Sequence, residues 1–376
     1  MAALAAITRH KTLSIMPTQR CTAECIHCGT MSSPREHTAL SPDAVLKVID
    51  EAAELGEYKL VVFTGGEPTL AWPVLIAGIT RAHQRGLTTR MVTNAHWARS
   101  AEAARRRVRA LRSAGLDEIN FSTGDQHARF VPIERVVLAI RSACENGITS
   151  IAVMVEKVAA RGITKHSLCE RPDYRQLRDD YPSVVVHINE SPWMPLSEKL
   201  IGRYAEGTTT NRANLAERAG CDSVLTTTTV QPDGQITACC GLGVRMIPEL
   251  AIGDVADTSL EAADKAAADD FLKRWIRIEG PERILDWASR YDPAIEWEDR
   301  YAHRCQACLR LYRDPAVRNV ILEHHQDKRA DVLVAEWLLH HYRDESPESV
   351  DLATPGQEPP HGLPTPRADA TGGKRK

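Results

Sequence analysis

Three cysteines near the start of the chain, spaced three residues and then two apart, have the pattern of an iron–sulfur site. They are Cys21, Cys25 and Cys28. Soft thiolate ligands select iron–sulfur clusters or zinc over hard cations. A cubane cluster has four irons, so three cysteines leave one iron open to bind and activate another molecule. Zinc sites usually pair two ligands from one loop with two from another, so a triplet without a near fourth ligand favours the cluster.

A second motif follows a strand-like run. Residues 59–64 are apolar and β-branched, which predicts a buried parallel strand, and Gly65, Gly66 and Glu67 come directly after it. Two glycines at the end of a strand let the backbone approach a ligand closely, and the Glu67 carboxylate can accept hydrogen bonds from a cationic group. An ordinary strand-to-helix turn is the alternative interpretation of the glycine pair.

Strands and helices are predicted to alternate through the first half of the chain. Strand-like runs lie near residues 11–17, 59–64, 88–94, 117–122, 150–156 and 183–189, and helix-length amphipathic segments lie near 42–55, 70–85, 100–114 and 131–147. This alternation favours a parallel sheet covered by helices. Ser41 is the predicted cap of the first helix, with Pro42 at its first position. Functional residues in such folds gather at the carboxyl ends of the strands, where the cysteines and Glu67 lie.

Polar side chains also follow the third and fourth predicted strands. Asn94 ends the third, and Ser122 and Asp125 follow the fourth. A hydroxyl and a carboxylate can both form hydrogen bonds with a polar ligand. Asparagine at a strand end is also frequent in turns, and a polar loop before a helix is the alternative for Ser122 and Asp125.

Four more cysteines in the second half form a candidate second metal site. A Pro-Asp-Gly turn between two short strands predicts a hairpin that brings Cys221 and Cys239 towards each other. Cys305 and Cys308 form a CxxC pair. Two plus two cysteines can close either a zinc site or a fully ligated cubane. Cys240 is adjacent to Cys239 and is the alternative ligand.

The two N-terminal motifs together resemble the radical S-adenosylmethionine (SAM) enzymes, over about residues 11–200. That family carries a CxxxCxxC loop after the first strand of a partial (β/α)6 barrel and a Gly-Gly-Glu motif after the second. His27 stands where the family often has an aromatic residue. The resemblance implies that the open iron chelates SAM, and that cluster reduction yields a 5′-deoxyadenosyl radical that abstracts a hydrogen atom from substrate. It also implies SAM contacts at Gly65, Gly66, Glu67, Asn94, Ser122 and Asp125.

The spacing from Cys221 to Gly234 and on to Cys239 is similar to the opening of the SPASM and twitch extensions of that family. No cysteine follows Cys308, so the shorter twitch form, with one auxiliary cluster of the [4Fe–4S] type, fits better. The implied ligands are Cys221, Cys239, Cys305 and Cys308.

The expected fold is α/β, a partial (β/α)6 TIM-like radical SAM barrel followed by a small twitch/SPASM-like Fe–S module with a β-hairpin and helices. The predicted parts are the barrel over 1–200, the auxiliary cluster domain over 201–312, a helical segment over 313–350 and a disordered tail over 351–376.

Composition excludes several classes of function. The chain has 376 residues, 43% of them hydrophobic, and a net charge of -3, which gives no reason to invoke nucleic acid or a membrane. No apolar run approaches the roughly 18 residues of a membrane-spanning helix, and the first twelve residues lack a signal-peptide core. Ten cysteines without an export signal predict metal ligands and a cytoplasmic location.

The implied reaction starts with hydrogen abstraction from a substrate. An auxiliary cluster with four cysteines has no open iron, so electron transfer is its natural role and oxidative modification or crosslinking of a ribosomally synthesised peptide or protein is the leading prediction. An external one-electron reductant of the flavodoxin or ferredoxin type is expected. Only twenty residues precede Cys21, which argues mildly for a small molecule or a separately delivered peptide.

Three alternatives stay open. One is an aminocyclitol or sugar dehydrogenase. Another is an epimerase, in which the surplus cysteines Cys240 or Cys169 return a hydrogen atom to the substrate. The third is an Fe–S electron carrier without catalysis, which accounts for the cysteines but not for the Gly-Gly-Glu motif.

Overall fold

The predicted alternation of strands and helices is confirmed by the structure, a computed structural model that describes residues 10–157, 162–192, 194, 204 and 207–341. The strands are β1 (Lys11–Ile15), β2 (Tyr58–Phe63), β3 (Thr88–Thr93), β4 (Glu118–Gly124), β5 (Ser150–Lys157), β6 (Val186–Pro192), β7 (Thr227–Val230), β8 (Gln235–Thr237) and β9 (Ala251–Asp254). The helices of the first half are α1 (Pro42–Leu55), α2 (Trp72–Gln84), α3 (Ala101–Ala114), α4 (Asp125–Ala128), α5 (Ile133–Glu145), α6 (Lys165–Cys169) and α7 (Pro172–Asp180). Those of the second half are α8 (Leu260–Ala268), α9 (Phe271–Glu279), α10 (Pro281–Tyr291), α11 (Arg304–Arg313), α12 (Pro315–His324) and α13 (Gln326–His341).

The strands form one sheet in the order β6-β5-β4-β3-β2-β1-β7-β8-β9. Strands β1 to β6 pair in parallel with their sequence neighbours, as expected for strands joined by helical crossovers. The predicted hairpin is present as β7 and β8, but β7 also pairs in parallel with β1. The hairpin therefore continues the sheet of the barrel.

The two faces of the strands differ in polarity, and β1 shows why. Leu13 and Ile15 have no exposed surface and belong to the larger hydrophobic core. Thr12 and Ser14 alternate with them and line a cavity on the other face of the sheet. This period of two places an apolar face under the helices and a polar face towards the inside of the barrel.

Local signals explain where several elements begin. Ser41 caps α1 by accepting a hydrogen bond from the backbone N–H of Ala44, with Pro42 as the first helical residue, as predicted. Strand β6 begins at Val186, later than the predicted 183, because the chain after α7 first makes a turn in which Val184 N donates to Tyr181 O at 3.1 Å.

A second hydrophobic core lies under the C-terminal helices. Its largest fully buried side chains are Trp275 and Trp297, and it also contains Cys239. Val317 and Val332, from the predicted helical segment after residue 313, belong to this second core. The C-terminal cysteines thus lie within an apolar environment separate from the core of the barrel.

The chain divides into two compact units, the first ending at Glu336 and the second beginning at Trp337. The predicted boundaries at 200 and 312 stay a prediction, and the tail predicted over 351–376 lies outside the described residues. Within the described ranges, no helix has both the length and the apolar character needed to cross a membrane.

A polar group under the sheet connects β1, β2, β7 and α8. The Asp264 carboxylate accepts hydrogen bonds from Lys11 Nζ at 2.9 Å, from Tyr58 Oη at 2.8 Å and from Thr228 Oγ1 at 2.8 Å. We expect Asp264→Ala to lower the free energy of unfolding by about 1 to 2 kcal/mol, because the buried Thr228 hydroxyl loses its acceptor while Lys11 keeps Glu57 and Tyr58 keeps Thr228 as a partner. Denaturant unfolding against Asp269→Ala, which removes an exposed carboxylate just after the same helix, measures this. Equal stabilities of the two variants would contradict it.

Candidate functional site

The loop after β1 holds the three N-terminal cysteines in a hydrogen-bonded turn. Cys28 N donates to Cys25 O at 3.1 Å, and Cys21 Sγ accepts from Ala23 N at 3.4 Å. Cys28 Sγ accepts from Ser32 N at 3.4 Å. Sulfur atoms that receive backbone N–H groups are suited to the thiolate form that binds metal.

Burial disfavours the thiolate forms of Cys21 and Cys25 in the metal-free chain. It raises the pKa of Cys21 and of Cys25 to about 12, and the neighbouring thiols contribute in the same direction. A cluster must therefore displace protons when it binds, as metal sites built from thiolates do. Three converging soft ligands without a fourth cysteine in the loop fit a [4Fe–4S] cluster with an open iron.

Asn94, at the end of β3, is directed at the cysteine loop. Its Nδ2 lies 3.6 Å from Cys21 Sγ and donates to Thr22 Oγ1 at 3.1 Å, while its Oδ1 accepts from His96 N at 3.0 Å. Hydrogen bonds to ligand sulfurs influence the reduction potential of a cluster. The structure thus gives Asn94 a contact with Cys21, a predicted ligand, and its predicted contact with SAM stays a prediction.

The Glu67 side chain is fully buried, and its carboxylate is engaged by the protein itself. Oε1 accepts from Thr69 N at 3.3 Å, Thr69 Oγ1 at 2.6 Å and Thr93 Oγ1 at 2.8 Å, and Oε2 accepts from Asn94 N at 2.9 Å. These hydrogen bonds join the ends of β2 and β3, and the contact of Glu67 with a cationic ligand stays a prediction. Burial raises the pKa of Glu67, although these hydrogen bonds oppose the shift.

The glycine pair brings two stretches of backbone together. Gly65 has a positive φ of 106°, Gly66 N donates to Thr18 O at 3.0 Å, and Glu67 N donates to Arg20 O at 2.8 Å. A Cβ atom on Gly66 would lie 2.1 Å from Arg20 O. The close approach that glycine permits here is to the segment that leads into Cys21, and approach to a ligand stays a prediction.

Ser122 and Asp125 lie at the carboxyl end of β4, as predicted. Ser122 is half-buried and pairs in register with Met154 of β5. Asp125 Oδ1 accepts from Ile163 N at 2.9 Å, so its carboxylate holds the chain that follows β5. Their contacts with SAM remain predictions.

Sequence reasoning missed a group of three side chains beside the cysteine loop. Glu156 Oε2 lies 3.0 Å from His27 Nε2 and 3.2 Å from His127 Nδ1. Burial disfavours the charge on Glu156, but the two imidazole hydrogen bonds outweigh it and hold the pKa of Glu156 below its ordinary value. The sequence contained a signal for Glu156, because it lies near the carboxyl end of the fifth strand, as the other candidate residues lie near the ends of theirs.

Among the C-terminal cysteines, Cys239 lies in the second core and Cys221 and Cys308 pack against it. Burial raises the pKa of Cys308, and the nearby thiols of Cys239, Cys305 and Cys221 raise it further. A Cβ atom on Gly241 would lie 3.4 Å from Cys239 Sγ and 3.5 Å from Cys305 Sγ. Gly241 therefore lies directly beside two of the predicted ligand sulfurs.

The adjacent cysteines Cys239 and Cys240 have different surroundings. Cys239 is buried in the second core, whereas Cys240 is exposed, contacts Ser223 Oγ at 3.2 Å and lines a cavity inside the barrel. This favours Cys239 as the ligand. Cys169 packs against the core of the barrel and Cys144 is buried within it, so neither is placed at that cavity.

The cavity inside the barrel, called the inner cavity here, has a volume of about 300 Å³ and is lined by inward-facing residues of β1 to β4 and β7 and by segments 29–30 and 240–245. Its lining includes Thr30, whose hydroxyl lies 3.3 Å from Cys28 Sγ, and Gly241, which adjoins two C-terminal cysteine sulfurs. One space therefore neighbours both sets of cysteines.

A larger cleft of about 1390 Å³ lies on the outer side of the cysteine loop. Cys25 and Cys28 line it from the loop, and Gln306 and Arg310 line it from α11, the helix that carries Cys305 and Cys308. The cleft therefore borders both the N-terminal cysteine loop and the helix that carries two of the C-terminal cysteines.

Residues 15–169 match the sequence model of the radical SAM superfamily, and this segment contains the cysteine loop, the Gly-Gly-Glu turn and the ends of the first five strands. This part of the chain is a radical SAM domain. Such a domain implies a [4Fe–4S] cluster and SAM, and the donor set of Cys21, Cys25 and Cys28 fits such a cluster.

Relatives of this radical SAM enzyme include YydG of Bacillus subtilis (strain 168), whose name refers to peptide biosynthesis, with 27% identity over 124 residues. The match covers 32% of this chain and 38% of YydG. Two solved structures are also similar. They are anSMEcpe with bound AdoMet (13% identity, TM-score 0.49, 82% of this chain and 98% of the other) and Streptococcus suis SuiB with its precursor peptide SuiA (15%, 0.43, 72% and 67%).

Proposed function

We propose that this enzyme cleaves SAM reductively and abstracts a hydrogen atom from a ribosomally synthesised peptide, which it modifies oxidatively. The observation that carries the proposal is the inner cavity, whose lining adjoins Cys28 through Thr30 and the C-terminal cysteines through Gly241. The similarity to YydG, named for peptide biosynthesis, supports a peptide as the substrate.

The residues of the chain would hold the cofactors in two places. Cys21, Cys25 and Cys28 would ligate the SAM cluster, and Cys221, Cys239, Cys305 and Cys308 an auxiliary cluster in a twitch-like domain over 201–312. With these bound, the first site supplies a 5′-deoxyadenosyl radical from SAM and the second supplies an electron acceptor. The inner cavity would keep the reacting carbon away from water while Glu67 and Asn94 hold the cysteine loop in register with β2 and β3. A flavodoxin or ferredoxin type protein would deliver the electron.

Epimerisation is a second candidate because Cys240 lines the same cavity. In that reaction the substrate loses a hydrogen atom to the 5′-deoxyadenosyl radical and regains one from the Cys240 S–H bond on the opposite face. The resulting thiyl radical must then take up one electron and one proton from the external reductant. Ser223, whose Oγ lies 3.2 Å from Cys240 Sγ, would orient the thiol.

The test is an anaerobic reaction of reconstituted enzyme with SAM, a chemical reductant and each short peptide co-expressed with it, in deuterated water. We expect 5′-deoxyadenosine together with a peptide lighter by two hydrogens. A peptide that instead gains one solvent deuterium, and loses this gain in Cys240→Ala, would establish epimerisation. Cys169→Ala is the matched control, because Cys169 packs in the barrel core. If 5′-deoxyadenosine forms but every peptide stays unchanged, the peptide substrate is excluded, and a test on aminocyclitols follows.

A further inference from the structure

The inner cavity contains polar atoms that the described part of the chain leaves without partners. They are Asn120 Oδ1, Thr229 Oγ1, Gln231 Oε1 and Arg245 Nη1, all buried and without a hydrogen-bond partner among the described residues. Gln231 has no exposed surface and Thr229 is 2% exposed. Buried polar atoms are normally paired, so a cluster of four unpaired ones on one cavity points to a ligand that completes them.

The hydrogen-bond network fixes which end of the Gln231 amide faces the cavity. Gln231 Nε2 donates to Thr237 Oγ1 at 3.1 Å, and the Thr237 hydroxyl lies 3.1 Å from Cys239 O, to which it donates. Because the single hydroxyl proton is used on a carbonyl, Thr237 accepts from Gln231, and Oε1 is the unpaired atom. The cavity therefore offers an acceptor at Gln231 and a donor at Arg245.

The charges around the cavity balance. Arg245 Nη2 donates to Asp233 Oδ2 at 2.9 Å, which leaves Nη1 as a hydrogen-bond donor on a neutralised pair. Arg90, the other cationic residue of the lining, lies 2.6 Å from Glu118 Oε1 through its Nε. An anionic ligand gains little from arginines that already have carboxylate partners, so the cavity suits a neutral group.

We infer that the inner cavity binds a neutral amide of the substrate, a peptide bond or a carboxamide side chain, whose N–H donates to Gln231 Oε1 and whose carbonyl accepts from Arg245 Nη1. An amide supplies a strong donor and a strong acceptor without charge, which matches these two atoms. Thr229 and Asn120 add further hydrogen-bonding positions on the same wall. The inference rests on the proposed function in taking the substrate as a peptide, and it assigns the recognition chemistry within that site.

The test uses the full chain and a probe in place of the unknown peptide. Saturation-transfer NMR with N-acetylglutamine amide, in the absence of SAM and reductant, is expected to show binding that Gln231→Met weakens by about tenfold, the value of one lost hydrogen bond. Gln176→Met, which alters an exposed glutamine on α7, is expected to bind as the wild type does. The neutral polyol myo-inositol is expected to bind at least tenfold more weakly than the amide.

Three outcomes would overturn the assignment: no binding of the amide by the wild type, equal or tighter binding of myo-inositol, or unchanged binding by a Gln231→Met variant that melts as the wild type does. If Gln231→Met does not fold, the same binding measurement is made on Thr229→Val, which keeps the side-chain shape and removes the hydroxyl. Unchanged binding by this variant would overturn the assignment. Amide binding without any SAM cleavage or peptide modification would defeat the proposed function and leave this assignment standing. If instead the enzyme modifies a peptide with the same KM in Gln231→Met and Thr229→Val as in the wild type, the amide-binding assignment is overturned and the proposed function stands.

Discussion

The variant with Cys21, Cys25 and Cys28 all changed to Ala is expected to retain about four irons per chain after anaerobic reconstitution. The reason is the second set of cysteines, which meets around Cys308 in the core of the C-terminal helices. Their thiols lie on different elements from the N-terminal loop, so removal of one set leaves the other intact. Iron and sulfide analysis with a metal scan measures the result.

The matched control is the variant with Cys221, Cys239, Cys305 and Cys308 changed to Ala. It is expected to hold a similar amount of iron on the N-terminal loop, while Cys144→Ala, which alters a buried cysteine of the barrel core, holds both clusters. If the N-terminal triple variant holds zinc and almost no iron, the C-terminal cysteines form a structural zinc site, and the oxidative reaction loses its electron acceptor.

Gly66→Ala is expected to lower the rate of SAM cleavage by more than about a hundredfold, because catalysis is sensitive to small displacements of the reacting groups. The new methyl group would lie 2.1 Å from Arg20 O, and backbone cannot move aside as a flexible side chain can. The cysteine loop would be pushed away from the ends of β2 and β3. Iron content per chain and 5′-deoxyadenosine formation together measure the effect.

Gly86→Ala is the control for this substitution. Gly86 lies between α2 and β3 with a φ of 75°, and nothing lies within 4 Å of its added Cβ, so the cost is backbone strain of about 1 kcal/mol. It should therefore lose stability and keep its SAM cleavage rate. A Gly66→Ala enzyme with wild-type iron content and rate would show that the two backbone segments do not need this close approach.

Much of the fold could be predicted from the sequence because its signals are local. The apolar run before Gly65 and the Ser-Pro start of α1 determine a strand and a helix within a few residues of their observed bounds. The cysteine loop could be identified in the same way, because its three candidate ligands are close in sequence and their spacing is typical of an iron–sulfur site.

The directions of side chains could not be predicted, because they depend on contacts between distant segments. Asn94 was predicted to contact SAM, and the structure also places its amide 3.6 Å from Cys21 Sγ, 73 residues away in sequence. The hydrogen bond from Thr93 of β3 to the Glu67 carboxylate was not indicated by any pattern in the sequence. The pairing of β7 with β1 could not be predicted either, because the residue pattern of a strand does not show which strand lies next to it in the sheet.

The pairing of β1 with β7 has a consequence for how the protein is made. Residues of β1 are synthesised before those of β7, so the edge of β1 that pairs with β7 stays unpaired until residues 227–230 have been synthesised. Until then the strand that carries the cysteine loop exposes backbone groups able to pair with other chains. A fragment cut at residue 200 would keep this edge permanently, so the N-terminal part would be expected to aggregate when produced alone.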